Sequence, residues 1–131
     1  MSIQDKKKKL DLVIGVFRGG VVLARSLASK LGDLPVFIIK LSKPGYEEIA
    51  CFGDDEKIEL ENSRDKNLNA LLVDDISDSG DTFKLLIKNL QKFGFKNLYT
   101  ASLVLKEYSG YKPDFHVVLD NSKDWLIFPW E

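Results

Sequence analysis

Two short runs that are apolar on both faces, "LDLVIGVF" (Leu10–Phe17) and "ALLV" (Ala70–Val73), each lead through a glycine-containing turn into a stretch of helical periodicity. A strand with no polar face must be covered on both sides, which points to a parallel sheet sandwiched by helices. The first helical stretch, "VVLARSLASKL", places Val21, Val22, Leu23, Leu27, Ala28 and Leu31 on a stripe and stops at Gly32. The second, "TFKLLIKNLQKFG", aligns Phe83, Leu86, Ile87, Leu90 and Phe93 and closes at Gly94. Further strands are expected at "PVFIIKL" (Pro35–Leu41), "LYTASLVL" (Leu98–Leu105) and "FHVVL" (Phe115–Leu119). Together these predict an α/β fold, a mostly parallel twisted sheet flanked by helices, in a single domain over residues 1–131. The segment Lys43–Asn69 carries Pro44, Gly45, Gly53 and seven acidic residues between Glu47 and Glu61. It reads as a mobile loop with one short strand near "KIEL".

Composition excludes several classes of function. The net charge of −1 creates no global field for nucleic acid or anionic membranes, and the lysine run Lys6–Lys9 reads as a solvated tail. No apolar stretch is long enough to span a bilayer and no cleavable leader is visible, so a cytoplasmic location is expected. A lone cysteine, Cys51, leaves no internal disulfide and no CxxC metal site. The single histidine, His116, lies in a strand-like run without a second His or Cys nearby and reads as structural.

In open parallel sheets ligands bind beyond the carboxyl ends of the strands, so the two glycine turns should meet at one rim. The second turn belongs to "LLVDDISDSGDT" (Leu71–Thr82), with four aspartates, two serines, a glycine and a threonine. Successive backbone N–H groups entering a helix make a concave anion site. Ser79 and Thr82 add hydroxyls, and Gly80 allows close backbone approach. Asp74 and Asp75 would repel a phosphate, but they suit sugar hydroxyls or a hydrated Mg²⁺. A ligand that is both polyol and phosphate monoester, such as ribose 5-phosphate, satisfies both halves. A plain helix N-cap needs only one such polar residue. No GxxxxGK[ST] phosphate loop occurs, and "GVFRGG" lacks the GxGxxG spacing of a dinucleotide site.

"LLVDDISDSGDT" resembles the phosphoribosyl pyrophosphate (PRPP) signature of the type I phosphoribosyltransferases, with Ser79 where threonine is more usual. "VFRGGVVLARSLASKLG" resembles that family's pyrophosphate loop and the helix after it. The resemblance extends from about Leu12 to Glu131 and implies several roles. The loop of Asp78, Ser79, Gly80, Asp81 and Thr82 would hold the 5′-phosphate. Asp74 and Asp75 would hold the ribose hydroxyls and Mg²⁺, directly or through water, while Arg18, Gly19 and Gly20 would bind pyrophosphate. A non-proline cis peptide is implied near Arg18–Gly19, and Asp78 as general acid/base at purine N7 or as an electrostatic or hydrogen-bonding group only. Lys43–Asn69 matches the position of the family's flexible loop, which closes over the reacting groups and excludes water.

The carboxyl-terminal stretch "KDWLIFPWE" resembles the hood of the bacterial and archaeal xanthine–guanine and hypoxanthine enzymes, the hood segment spanning about 106–131. By that likeness Trp125 stacks on the purine, Leu126 supplies backbone hydrogen bonds and Glu131 lies near the exocyclic amine. Trp130 reads as a core or interface aromatic. Lys106 matches the lysine that donates to the purine 6-oxo group; having donors only, it favours an oxo over an amino substituent. The implied activity is transfer of 5-phosphoribosyl from PRPP to N9 of guanine, xanthine or hypoxanthine, giving a nucleoside monophosphate and pyrophosphate. The alternative is a non-catalytic regulator that binds PRPP or a nucleotide on the same fold. Related enzymes usually carry a helix before the first strand, whereas about ten residues precede Asp11 here. A sheet face left open in this way would favour a homodimer or higher homo-oligomer.

Overall fold

The structure is a computed structural model and describes residues 10–41, 49–51 and 67–120. In chain order the elements are β1 (Leu12–Val16), α1 (Gly20–Lys30), β2 (Val36–Leu41), β3 (Ile49–Cys51), β4 (Asn69–Ser77), α2 (Asp81–Phe93), β5 (Asn97–Lys106) and β6 (Phe115–Asp120). They form one six-stranded sheet in the order β3-β2-β1-β4-β5-β6. Strand β3 runs antiparallel to β2, and the other neighbours are parallel. Among the described residues no helix is long and apolar enough to cross a membrane.

Alternation along the central strands divides the core in two. Leu12, Ile14, Ala70 and Leu72 face α2, joined by Phe83, Leu86 and Leu90. Val13, Leu71 and Val73 face α1, joined by Ala24 and Ala28. Burying one large side chain such as Phe83 or Leu90 contributes about 1.5–3 kcal/mol, so α2 is held mainly by its apolar stripe. The crossover from β1 leads to β2 on one side and the crossover from β4 leads to β5 on the other. The carboxyl ends of β1 and β4 therefore flank the topological switch point, where a crevice opens in sheets of this kind.

Three expectations change. Leu23, Leu27, Ala28 and Leu31 of the expected α1 stripe pack into the core, but Val22 is 47 % exposed, while Gly20 and Ala24, outside the stripe, are buried. Small residues line the inner face because the helix lies close to the sheet; a Cβ on Gly15 of β1 would sit 2.8 Å from the Ala24 Cβ. Strand β4 continues past its apolar run to Ser77, held by pairing through Ser77↔Leu105, so Asp74 and Asp75 lie within the strand and not beyond it. The expected loop Lys43–Asn69 is interrupted by β3, a three-residue edge strand too short for periodicity to reveal. The strand expected near "KIEL" lies outside the described residues.

Candidate active site

The turn from β4 into α2 is built on Gly80, which has φ of +87° and forms the N-cap of α2. This left-handed conformation suits glycine, and the space is closed as well: a Cβ there would lie 2.5 Å from the Tyr111 nitrogen. The Asp81 N–H donates to Ser79 Oγ at 3.2 Å, and the Lys84 N–H donates to the Gly80 carbonyl at 3.1 Å. Asp74 Oδ1 accepts the Asp75 N–H at 2.8 Å, which fixes the first carboxylate of the pair. Ser79, Asp81 and Thr82 are exposed on the rim, and Asp78 is half-buried.

A segment absent from the sequence-based site grips this turn from outside. The Gly110 N–H donates to the Ser79 carbonyl at 2.8 Å. Ser77 Oγ donates to the Tyr111 carbonyl at 2.8 Å and lies 2.9 Å from Ser109 Oγ. Tyr108 donates its phenol hydrogen to Asp78 Oδ1. The far end of the segment is anchored too. The Tyr111 ring stacks on Phe83 with centroids 5.4 Å apart, and its hydroxyl lies 2.9 Å from Thr100 Oγ1. Thr100 and Asp114 exchange backbone-to-side-chain bonds of 2.8 and 3.0 Å. Burial raises the Tyr111 phenol above its ordinary value; the Thr100 hydrogen bond opposes this and the Asp114 charge adds to it.

The turn from β1 into α1 lies at the same end of the sheet. Its peptide bond Phe17–Arg18 is cis, one residue before the position expected. Arg18 is exposed, whereas Gly19 and Gly20 are buried. A Cβ on Gly19 would fall 2.0 Å from Asp75 Oδ2, and one on Gly20 would fall 2.4 Å from the Val73 carbonyl oxygen. The pair of glycines thus lets the backbone lie directly on β4, and Asp75, 5 % exposed, fills the contact. Helix α1 has neither a side-chain cap nor an acidic residue in its first turn, so the positive end of its dipole is not offset from within the helix. The turn after β1 thus lies against Val73 and Asp75 in the carboxyl half of β4, the strand that runs on into the second turn. β4 and the turn after it bring an acid pair and a hydroxyl-lined helix entry, the β1 turn a cation, and neither helix has a side-chain cap.

The phosphoribosyl transferase domain family model matches residues 2–131. The chain belongs to this family. As a phosphoribosyl transferase domain it is similar in structure to a purine phosphoribosyltransferase from Pyrococcus horikoshii, at 32 % identity and TM-score 0.75, covering 94 % of this chain and 78 % of that one. It is 28 % identical over 120 residues to a xanthine-guanine phosphoribosyltransferase from Idiomarina loihiensis, covering 91 % of this chain and 70 % of the relative. It is also 32 % identical over 94 residues to an adenine phosphoribosyltransferase from Clostridium botulinum, covering 68 % of this chain. The chain spans 55 % of the length of that relative.

Within this phosphoribosyl transferase domain, Lys106 closes β5 and is 1 % exposed, with Asp120 of β6 as its register partner. It is thus no ordinary surface lysine. Trp125, Leu126 and Glu131 lie outside the described residues. Residues 107–111 fall within the expected hood segment of about 106–131 but carry no role in the sequence reading, and Ser77, Thr100 and Asp114 are not singled out there. The available signal was "YSGYKPD", a cluster of turn formers between two strands that periodicity alone passes over.

Proposed function

We propose that this domain is a purine phosphoribosyltransferase acting on a 6-oxopurine, with PRPP as donor and pyrophosphate and a nucleoside monophosphate as products. The observation that carries this reading is the contact of Gly19 with Asp75 at the switch point. It joins an anion-binding turn and an acid pair within the reach of one sugar phosphate. In this reading the 5′-phosphate sits on the turn Asp78–Thr82, against exposed hydroxyls and the α2 N-terminus. Asp74 and Asp75 take the ribose hydroxyls. Arg18 and the amides of Gly19 and Gly20 hold the pyrophosphate and stabilise the charge it gains as it leaves. Purine N9 attacks C1′ as the bond to pyrophosphate breaks, and Asp78 holds or accepts the N7 proton.

Among the described residues no three His, Cys, Asp or Glu side chains form a metal cluster. Mg²⁺ suits such a place nonetheless, since it commonly takes one or two carboxylates and completes its shell with phosphate oxygens and water. Asp74 and Asp75 would hold it, directly or through water. When bound it would neutralise the diphosphate.

The 6-oxo preference rests on Lys106, a buried donor-only side chain at the rim of β5, and on the likeness to the I. loihiensis enzyme. Adenine is the competing acceptor, favoured by the C. botulinum likeness. A homodimer or higher homo-oligomer and a cytoplasmic location complete the proposal. The test is pyrophosphate release from PRPP and Mg²⁺ with guanine, xanthine, hypoxanthine, adenine and uracil in separate assays. Release with one or more of the first three and little with adenine is the expected result. Adenine alone would reassign the acceptor. No release with any base, beside measurable nucleotide binding, would favour the non-catalytic regulator.

A further inference from the structure

Ser77 at the end of β4 and the three turn residues after it, Asp78 to Gly80, are each met by the segment 108–111. Ser77 bonds the Tyr111 carbonyl, Asp78 accepts from Tyr108, Ser79 accepts from Gly110, and Gly80 lies beneath Tyr111. Three of these grips use backbone atoms of 108–111 and are independent of the Tyr108 side chain. The Tyr108 backbone is also bracketed by the Ser109 N–H, which donates to the Lys106 carbonyl at 3.0 Å. Tyr108 is 46 % exposed, so its burial adds little to holding the strap in place. What the hydroxyl does is engage one oxygen of the Asp78 carboxylate.

We infer that Tyr108 is the positioning residue for Asp78, fixing its Oδ1 so that Oδ2 is presented to the base. The inference rests on the proposed role of Asp78 at purine N7. A carboxylate on a free side chain samples several rotamers, and a proton acceptor must lie within hydrogen-bond reach of the atom it serves. A phenol donor mounted on a separately anchored segment removes that freedom before the base arrives. Because Tyr108 bonds a side chain and not the phosphate-binding amides, it should act on turnover and not on PRPP affinity.

The experiment compares the full chain with Tyr108→Phe, Asp78→Asn and the double variant in steady-state assays, using Mg²⁺–PRPP and the purine with the fastest turnover. Tyr108→Phe keeps the ring and the strap, and should lower kcat about tenfold with KM for PRPP changed less than about twofold. In the Asp78→Asn background, removing the phenol hydroxyl should change kcat by less than about twofold, since the group it positions is already gone. Wild-type turnover in Tyr108→Phe beside a crippled Asp78→Asn would overturn the positioning role alone. A tenfold loss that persists in the Asp78→Asn background would also overturn it, placing Tyr108 on the ligand instead. Full turnover in Asp78→Asn would overturn the role of Asp78 and this inference together.

Discussion

The turn after β1 and the turn after β4 both place glycines at the entry to a helix and lie at the same end of the sheet, but their surroundings differ. The second is clasped by the segment 108–111, with Gly80 pressed beneath Tyr111 and Asp81 in the first turn of α2. The first lies flat on β4 through Gly19 and Gly20, exposes Phe17 and Arg18 at its tip and has no acidic residue in the first turn of α1. Shape at the β4 turn is thus set by protein contacts in advance of any ligand. The β1 turn instead offers an exposed arginine, next to an N-cap glycine that packs on the Asp75 carboxylate. Such a division suits a ligand whose monoester end is retained in the product and whose diphosphate end must leave.

Substitution at the clasp should break this contrast most severely. In Gly80→Ala a Cβ meets the Tyr111 backbone in a left-handed conformation. We expect a loss of about 2–4 kcal/mol in urea denaturation, from backbone strain and overpacking together. Binding of a nucleoside monophosphate should weaken in parallel. A Gly80→Ala variant with wild-type stability would show that the strap yields readily and that the turn is not preset.

Arg18→Ala probes the opposite turn. The side chain is exposed, so stability should change by less than about 0.5 kcal/mol. KM for PRPP should rise about tenfold, the expected loss for one charge-assisted contact to a diphosphate. If the variant were instead destabilised like Gly80→Ala, the two turns would not differ in kind.

The smallest effect concerns the outer anchor of the strap. Burial keeps the Tyr111 phenol protonated to higher pH in the folded protein than in the unfolded chain, where the ordinary value is 10.0. Its stabilising contribution is therefore complete below that value and is lost as pH rises through the folded one. Urea midpoints measured above about pH 10 should fall more steeply for the wild type than for Tyr111→Phe. Parallel slopes would mean that the phenol is not held by its surroundings.

The parts of the fold legible in the sequence were those where one physical signal acted alone. Apolar runs marked β1, β2 and the first half of β4, and the wide stripe from Phe83 to Phe93 marked α2. The face of α1 was legible at Leu23, Leu27, Ala28 and Leu31, but Gly20 and Ala24 were passed over because alanine and glycine are weak signals of burial. There, closeness to the sheet and not side-chain size decided which residues went inside. The polar half of β4 escaped because its pairing with β5 depends on a partner about thirty residues distant. Both candidate turns were legible from their glycines and acids. The clasp was not, since hydroxyl and backbone bonds between Ser77 and Tyr111 leave no periodic trace. Lys106 was singled out by likeness alone, and its burial is a property of the fold.

The grip of residues 108–111 on residues 77–80 also bears on engineering. The two stretches lie about thirty positions apart in the chain yet behave as one cassette, each shaped to the other's backbone. Grafting the "DDISDSGDT" turn into another scaffold without "YSGY" would carry the letters of the motif but not its curvature, and directed evolution of either stretch should draw compensating changes in its mate.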